Sequence, residues 1–217
     1  MTISEENYLK VIYHLSLVSP KGVNTNAIAG MLDTKASSVT DMIKKLAEKE
    51  LVSYVKYQGV SLTEKGSYAA KMIVRKHRLW EVFLFEKLKF SWDEVHEIAE
   101  ELEHIKSEKL VNRLDEFLEF PDFDPHGDPI PNTNGEIKKI HKMLLMEGDL
   151  ETTYLCIGVK DTSSDFLQYL DKQKIALGSV ITILEKDNYD DLMRVEINGI
   201  QSVISTKIAG NLFIKKQ

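Results

Sequence analysis

Two stretches of this 217-residue chain concentrate the side chain types that bind transition ions. "KHRLWE" sets His77 and Glu81 one helical turn apart. "VHEIAEELEH" sets His96, Glu100, Glu103 and His104 within an arc of about 100° on a helix, with Ile98, Leu102 and Ile105 on the other flank. Imidazole and carboxylate together suit Mn²⁺, Fe²⁺, Co²⁺, Ni²⁺ or Zn²⁺, whereas a chain whose single cysteine is Cys156 argues against a thiolate-bound structural Zn²⁺. One i,i+4 pair donates at most two ligands, so a complete site needs two helices packed together, and a third where the first helix joins them. A single His/Glu pair reads as a solvated helix face with a weak ion pair. Three such pairs within 28 residues on successive helices read as a site. No Ser or Cys has the activating neighbours of a nucleophile, and the chain is expected not to be an enzyme.

The elements that must hold these groups follow from periodicity. Residues 5–18 repeat Leu9, Ile12, Tyr13 and Leu15 at helical spacing and stop before Pro20 and Gly22. "NTNAIAGML" (24–32) is a short helix with Asn24 or Thr25 as N-cap, and 33–51 is a second, with Asp33 or Thr34 as cap and Val39, Met42, Ile43 and Leu46 buried. This is a helix-turn-helix pattern. "LVSYVKYQGVSLT" then alternates with period two around a Gln58-Gly59 turn, which makes a wing. Helices are expected over 67–88, 93–118 and 136–146. Residues 120–135 hold four of the five prolines and form a linker or an ordered loop. From 150 onward, short β-type runs with one helix, "SSDFLQYLDKQ", read as a small β-barrel. The fold class is mainly α with a small β part. Its division is a winged-helix head at 1–66, a helical metal-binding and dimerisation part at 67–146, and the barrel at 150–217.

Charge divides the chain in the same way. Net charge is −6, but residues 1–80 carry 12 Lys/Arg against 7 Asp/Glu, a net of +5, and the remainder carries 16 against 27, a net of −11. A basic head suits DNA. The second helix of the motif enters the major groove, so Lys35, Ser37, Ser38, Thr40 and Asp41 are expected at base edges, and Lys44, Lys45 and the wing's Lys56 at phosphate. A modest charge per head favours a homodimer reading two half-sites on a double-stranded operator. The apolar side chains of Leu79, Trp80, Phe83 and Leu84 are expected to form the dimer core. Cys156 is expected to be a buried, inert thiol. The N-terminus lacks a signal peptide's apolar core, and no apolar run reaches about 20 residues, so a cytoplasmic protein without membrane contact is expected.

The winged head, "RKHRLWE", "VHEIAEELEH" and "PHGDPIP", in this order, resemble the diphtheria toxin repressor family of metal-dependent transcriptional regulators, in its manganese- and iron-responsive branches. The resemblance covers about residues 5–132. The tail resembles, through weaker motifs, the SH3-like barrel of longer members and of ferrous-iron transport A-type proteins. It implies two metal sites per subunit, filled by Mn²⁺ or Fe²⁺ acting as co-repressor, and no small organic substrate. One site takes His77, Glu81 and His96, with Asp161 and Asp165 as the nearest barrel oxygens. The other takes Glu100, Glu103 and His104 with a residue of the first helix. Manganese-type members have Glu where Glu100 stands and iron-type members Cys, which favours the harder ion.

Two positions depart from the family pattern. The first-helix ligand is Met or Asp in familiar members and Asn7 here, with Glu6 beside it. Some streptococcal-type relatives carry Cys two residues before the linker histidine, where this chain has Asp124 ahead of His126, read as a solvated loop acid. Two other functions compete. A carboxylate-bridged di-metal enzyme wants a Glu-x-x-His from each of two helices, and only Glu101-x-x-His104 is present. A metal-independent winged-helix protein would leave the His/Glu face solvated.

Overall fold

The structure is a computed structural model that describes residues 1–55, 59–138, 142–187 and 189–217. It divides into two compact units. One comprises Met1–His77, Glu100–Val111 and Pro131–Ile137, and the other Arg78–Ala99, Asn112–Ile130 and Lys138–Gln217.

In the first unit, helix α1 (Ile3–Val18) opens with a capping box: the Thr2 hydroxyl accepts from Glu5 N–H and the Glu5 carboxylate accepts from Thr2 N–H. Leu9 and Ile12 are fully buried against Ile28, Val39, Ile43 and Leu46 in one apolar cluster. Asn24, not Thr25, caps α2 (Thr25–Met31), accepting from Asn26 N–H. Helix α3 (Ala36–Glu48) buries Val39, Ile43 and Leu46, and Met42 is half-buried. Its cap position is Lys35, with no side-chain cap bond, because Asp33 is turned into the left-handed region at φ 45° to make the tight turn. Strands β1 (Val52–Val55) and β2 (Gly59–Leu62) pair antiparallel with Val52 opposite Leu62. Lys56, Tyr57 and Gln58 lie outside the described residues. Helix α4 (Glu64–Glu86) begins three residues before the predicted start, where the Thr63 hydroxyl accepts from Gly66 N–H.

The expected helix 93–118 is two: α5 (Val95–Leu102) and α6 (Glu108–Phe117). The break comes at Ser107, whose hydroxyl accepts from Leu110 N–H and starts a new helix.

In the second unit, strands β3 (Met143–Leu144), β4 (Thr153–Val159), β5 (Val180–Asp187), β6 (Leu192–Ile197), β7 (Ile200–Ser205) and β8 (Leu212–Lys216) form one sheet in the order β3-β8-β4-β5-β6-β7, antiparallel throughout. Helices α7 (Ser164–Lys172) and α8 (Thr206–Ala209) complete it. The expected helix 136–146 is absent among the described residues. Met143 and Leu144 pair with Ile214 and Phe213, followed by a 3₁₀ turn at Leu145–Glu147, while 139–141 lie outside the described residues. Pairing with β8 satisfies the backbone there and outweighs helix propensity.

Trp92, just before α5, is buried in the same apolar cluster as Tyr154, Phe166 and Ile214, and its Nε1–H donates to Pro125 O at 2.6 Å. The 120–130 segment is an ordered loop, closed by Ile130 N–H to Asp122 O and Asp124 N–H to Asp128 O. Gly127 sits at φ 82°, where an added Cβ would lie 1.9 Å from Ile157 O, so only glycine lets this loop lie on β4. Leu79, Trp80 and Leu84 are buried within the chain and Phe83 is half-buried, so the expected dimer core is intramolecular. The large exposed apolar side chains nearby are instead Phe85, Leu88, Phe117 and Phe120. Cys156 is buried, and burial pushes its thiol up to about 11, as an inert cysteine requires.

Candidate metal centres and DNA face

In the first unit, Glu103 is the centre of one group and is fully buried. Its Oε2 lies 2.7 Å from His77 Nδ1 and 2.7 Å from Lys10 Nζ, and Lys10 Nζ also lies 2.5 Å from Glu100 Oε1. His77, Glu100 and Glu103 bring one ligand atom each within 4.8 Å of one another. Burial opposes charge on Glu103, but the His77 ring and the Lys10 ammonium outweigh it and hold the carboxyl below its ordinary range. His104 Nδ1 lies 2.7 Å from Glu6 Oε2, with Nδ1–H donating, so the neutral ring keeps its lone pair on Nε2. That Nε2 is 3.9 Å from Glu103 Oε1. Glu103 Oε1 and Asn7 Oδ1 are both buried with no hydrogen-bond partner. Glu103 Oε1, without a hydrogen-bond partner and 3.9 Å from an oriented imidazole nitrogen, is the donor chemistry of a hard divalent cation, and Asn7 Oδ1 is a second buried oxygen of that kind.

In the second unit, Glu81, Asp124 and His126 are buried and bring ligand atoms within 4.8 Å of one another. His96 Nδ1 is 3.3 Å and His126 Nδ1 3.6 Å from Glu81 Oε1. His126 Nε2 lies 3.2 Å from Trp92 O, to which it donates, which turns the Nδ1 lone pair toward Glu81. The Asp124 carboxylate accepts from the backbone N–H of His126 and Asp128 and pairs with Arg78 at 3.3 Å. It is therefore a buried group and not the solvated loop acid expected, because Gly127 lets the loop fold inward. Burial first, then the facing Glu81, push its carboxyl up to about 8 in spite of Arg78. A divalent cation would replace the proton this carboxyl holds near neutrality.

Of the expected ligands, Glu81 and His96 are thus together, with His77 one turn earlier on α4. Glu100 and Glu103 are together with His77 in the other group, and His104 stands on Glu6 with its Nε2 3.9 Å from Glu103 Oε1. Asp161 and Asp165 are in no three-residue group among the described residues. Asp161 Oδ1 accepts from Ser163 N–H and turns the chain into α7, and Asp165 is exposed in the first turn of that helix. His126, Glu6 and Lys10 were missed. The His126–Gly127 dipeptide in a loop too proline-rich for helix was the available signal for the first. Nothing local marked Lys10, 90 residues from its partner.

On α3, Lys35, Ser37, Ser38, Thr40, Lys44 and Lys45 are all exposed opposite the buried Val39, Ile43 and Leu46. Thr40 donates its hydroxyl to Ala36 O, and Lys44 pairs loosely with Asp41 at 3.4 Å. Lys56 lies outside the described residues.

The iron-dependent repressor N-terminal DNA-binding domain matches residues 1–60, the iron-dependent repressor metal-binding and dimerisation domain matches 63–132, and the FeoA domain matches 143–216. The HTH-type transcriptional regulator MntR of Oceanobacillus iheyensis is 34% identical over 120 residues, 55% of this chain and 80% of its own length. A probable metal transport system membrane protein of Chlamydia trachomatis is 46% identical over 86 residues; the match takes in 40% of this chain and only 19% of that protein. A solved manganese-dependent transcriptional repressor in complex with manganese is 33% identical, with a TM-score of 0.84, over 98% of this chain and 99% of its own.

Proposed function

This chain belongs to the diphtheria toxin repressor family of metal-dependent transcriptional regulators, and on that premise we propose that it is a homodimeric repressor activated by Mn²⁺ or Fe²⁺. The observation that carries the reading is the buried Glu103 Oε1, without a hydrogen-bond partner and 3.9 Å from the Nε2 of a histidine whose other nitrogen is held by Glu6, with Asn7 Oδ1 a second buried oxygen lacking a partner. A buried orphan oxygen costs about 1–3 kcal/mol, which a bound cation offsets.

Asn7, Glu100, Glu103 and His104 hold one ion. Glu81 and His96 hold the other, joined by Asp124 and His126. All are oxygen and imidazole donors, which favours Mn²⁺ with Fe²⁺ second. The ion supplies positive charge that ties α1, the first helix of the DNA-binding head, to Glu103 and His104. It need only bind the DNA-competent arrangement more tightly than the open one. No bond is made or broken, and the protein is not an enzyme.

Lys35, Ser37, Ser38 and Thr40 meet base edges, and Lys44, Lys45 and Lys56 meet phosphate. The head at 1–66, the helical part at 67–146 and the SH3-like part at 150–217 divide the labour. Among the described residues no helix is long and apolar enough to cross a membrane, and a cytoplasmic place on the operator is the expected one. The test is operator binding by gel shift during Mn²⁺ titration, with anaerobic Fe²⁺ in parallel. Binding that appears only with metal supports the reading, and equal binding in chelator overturns it.

A further inference from the structure

Glu103 presents its two carboxylate oxygens to two different sets of ligands. Oε1 is buried without a hydrogen-bond partner and lies 3.9 Å from His104 Nε2, the side on which the proposed ion binds. Oε2 belongs to the His77, Glu100 and Glu103 cluster, whose ligand atoms lie within 4.8 Å of one another. A carboxylate shared in this manner is how two ions about 3.5–4 Å apart are bridged. By residue type alone, the protein therefore has the makings of a carboxylate-bridged ion pair.

The second position is already taken. Lys10 Nζ stands 2.5 Å from Glu100 Oε1 and 2.7 Å from Glu103 Oε2, on the two oxygens a second ion would need. Its side chain is only 11% exposed, so the ammonium is largely withheld from solvent. A divalent ion would have to bond to those oxygens at about 2.0–2.2 Å, inside the space the ammonium occupies and against its charge. The ammonium is tethered to α1 one turn after Asn7, so it competes as an intramolecular ligand with no dependence on cation concentration.

We infer that Lys10 is a built-in cation that fills the second ion position beside Glu103, so that this centre takes one divalent ion and not a bridged pair. Its role is to set the ion count, and hence how steeply the repressor responds to free metal: one ion, not two, closes α1 onto Glu103. The inference rests on the reading that the Asn7, Glu103 and His104 set binds Mn²⁺.

The test is Mn²⁺ stoichiometry by equilibrium dialysis with metal analysis on the full chain, together with electron paramagnetic resonance at saturation. Wild type is expected to show uncoupled Mn²⁺ signals alone. Lys10→Glu is expected to take up one more Mn²⁺ per chain than wild type and to show the spectrum of an exchange-coupled pair. Lys10→Gln, similar in reach but uncharged, keeps the question open to experiment if the acidic variant does not fold, and is expected to gain the same ion with weaker affinity. An exchange-coupled pair in wild type overturns the inference and leaves the metal-activated reading standing, as does unchanged stoichiometry in a natively folded Lys10 variant. Wild type that binds no Mn²⁺ at all overturns both.

Discussion

At the residue scale, a few polar atoms carry the chemistry because they are buried without solvent to compensate them. Glu103 is fully buried, and its charge survives only because the His77 ring and the Lys10 ammonium face it. Glu103→Ala removes both the orphan oxygen and the acceptor of His77, so Mn²⁺ affinity should fall at least about tenfold, and metal-dependent operator binding should vanish with it. Equilibrium dialysis and gel shift on the same preparation check this, and an unchanged metal response would contradict the assignment. Glu5 gives a second prediction, in pH. The Lys49 ammonium hydrogen-bonded to it, with Thr2 N–H, holds its carboxyl below the usual 4.5. A carboxyl depressed in the folded state stabilises above its unfolded pKa and loses that contribution as pH falls through the folded value. Glu5→Gln should therefore cost about 1 kcal/mol at neutral pH, and its melting temperature should converge on wild type as pH drops toward about 3.

At the element scale, positions are set by where helices stop and loops lie. The Ser107 hydroxyl restarts the helix so that α5 and α6 are separate, and His104 falls in the intervening turn beside Glu6. The loop at 120–130 brings Asp124 and His126 to Glu81 because Gly127 allows its backbone onto β4. Gly127→Ala would set a Cβ 1.9 Å from Ile157 O at a positive φ. It should destabilise by about 2 kcal/mol or more and weaken the Glu81-centred Mn²⁺ site while leaving the Glu103-centred one intact. Thermal unfolding and metal stoichiometry would read the two effects apart; equal loss at both sites would refute the local role.

For the whole molecule, the basic head and the exposed apolar side chains of the second unit should cooperate on DNA. Phe85, Leu88, Phe117 and Phe120 are large, apolar and exposed. If a second copy covers them, Phe117→Glu with Phe120→Glu should yield a monomer by sedimentation and reduce operator affinity by on the order of 10²-fold or more, since one head neutralises few phosphates. A double variant that remains dimeric would place the interface elsewhere. Lys44→Ala and Lys45→Ala together should weaken binding about equally on all sequences and shallow its salt dependence by roughly two charges per head.

The sequence by itself determined what depends on near neighbours. Helical period predicted α1 to α4 and alternation predicted the wing, and His77 and Glu81 stand one turn apart on α4 as their spacing requires, whereas His104 lies beyond the end of α5 and its i,i+4 relation to Glu100 is not a helical one. Tertiary structure decided what depends on distant partners. Burial of Asp124, the internal use of Leu79, Trp80 and Leu84, the strand at Met143–Leu144, and the ammonium of Lys10 lodged between carboxylates 90 and 93 residues away all arise from contacts that no local pattern encodes. Desolvation is the reason: the protonation and ligand capacity of a carboxylate are fixed by what surrounds it after folding, and chain order alone does not specify those surroundings.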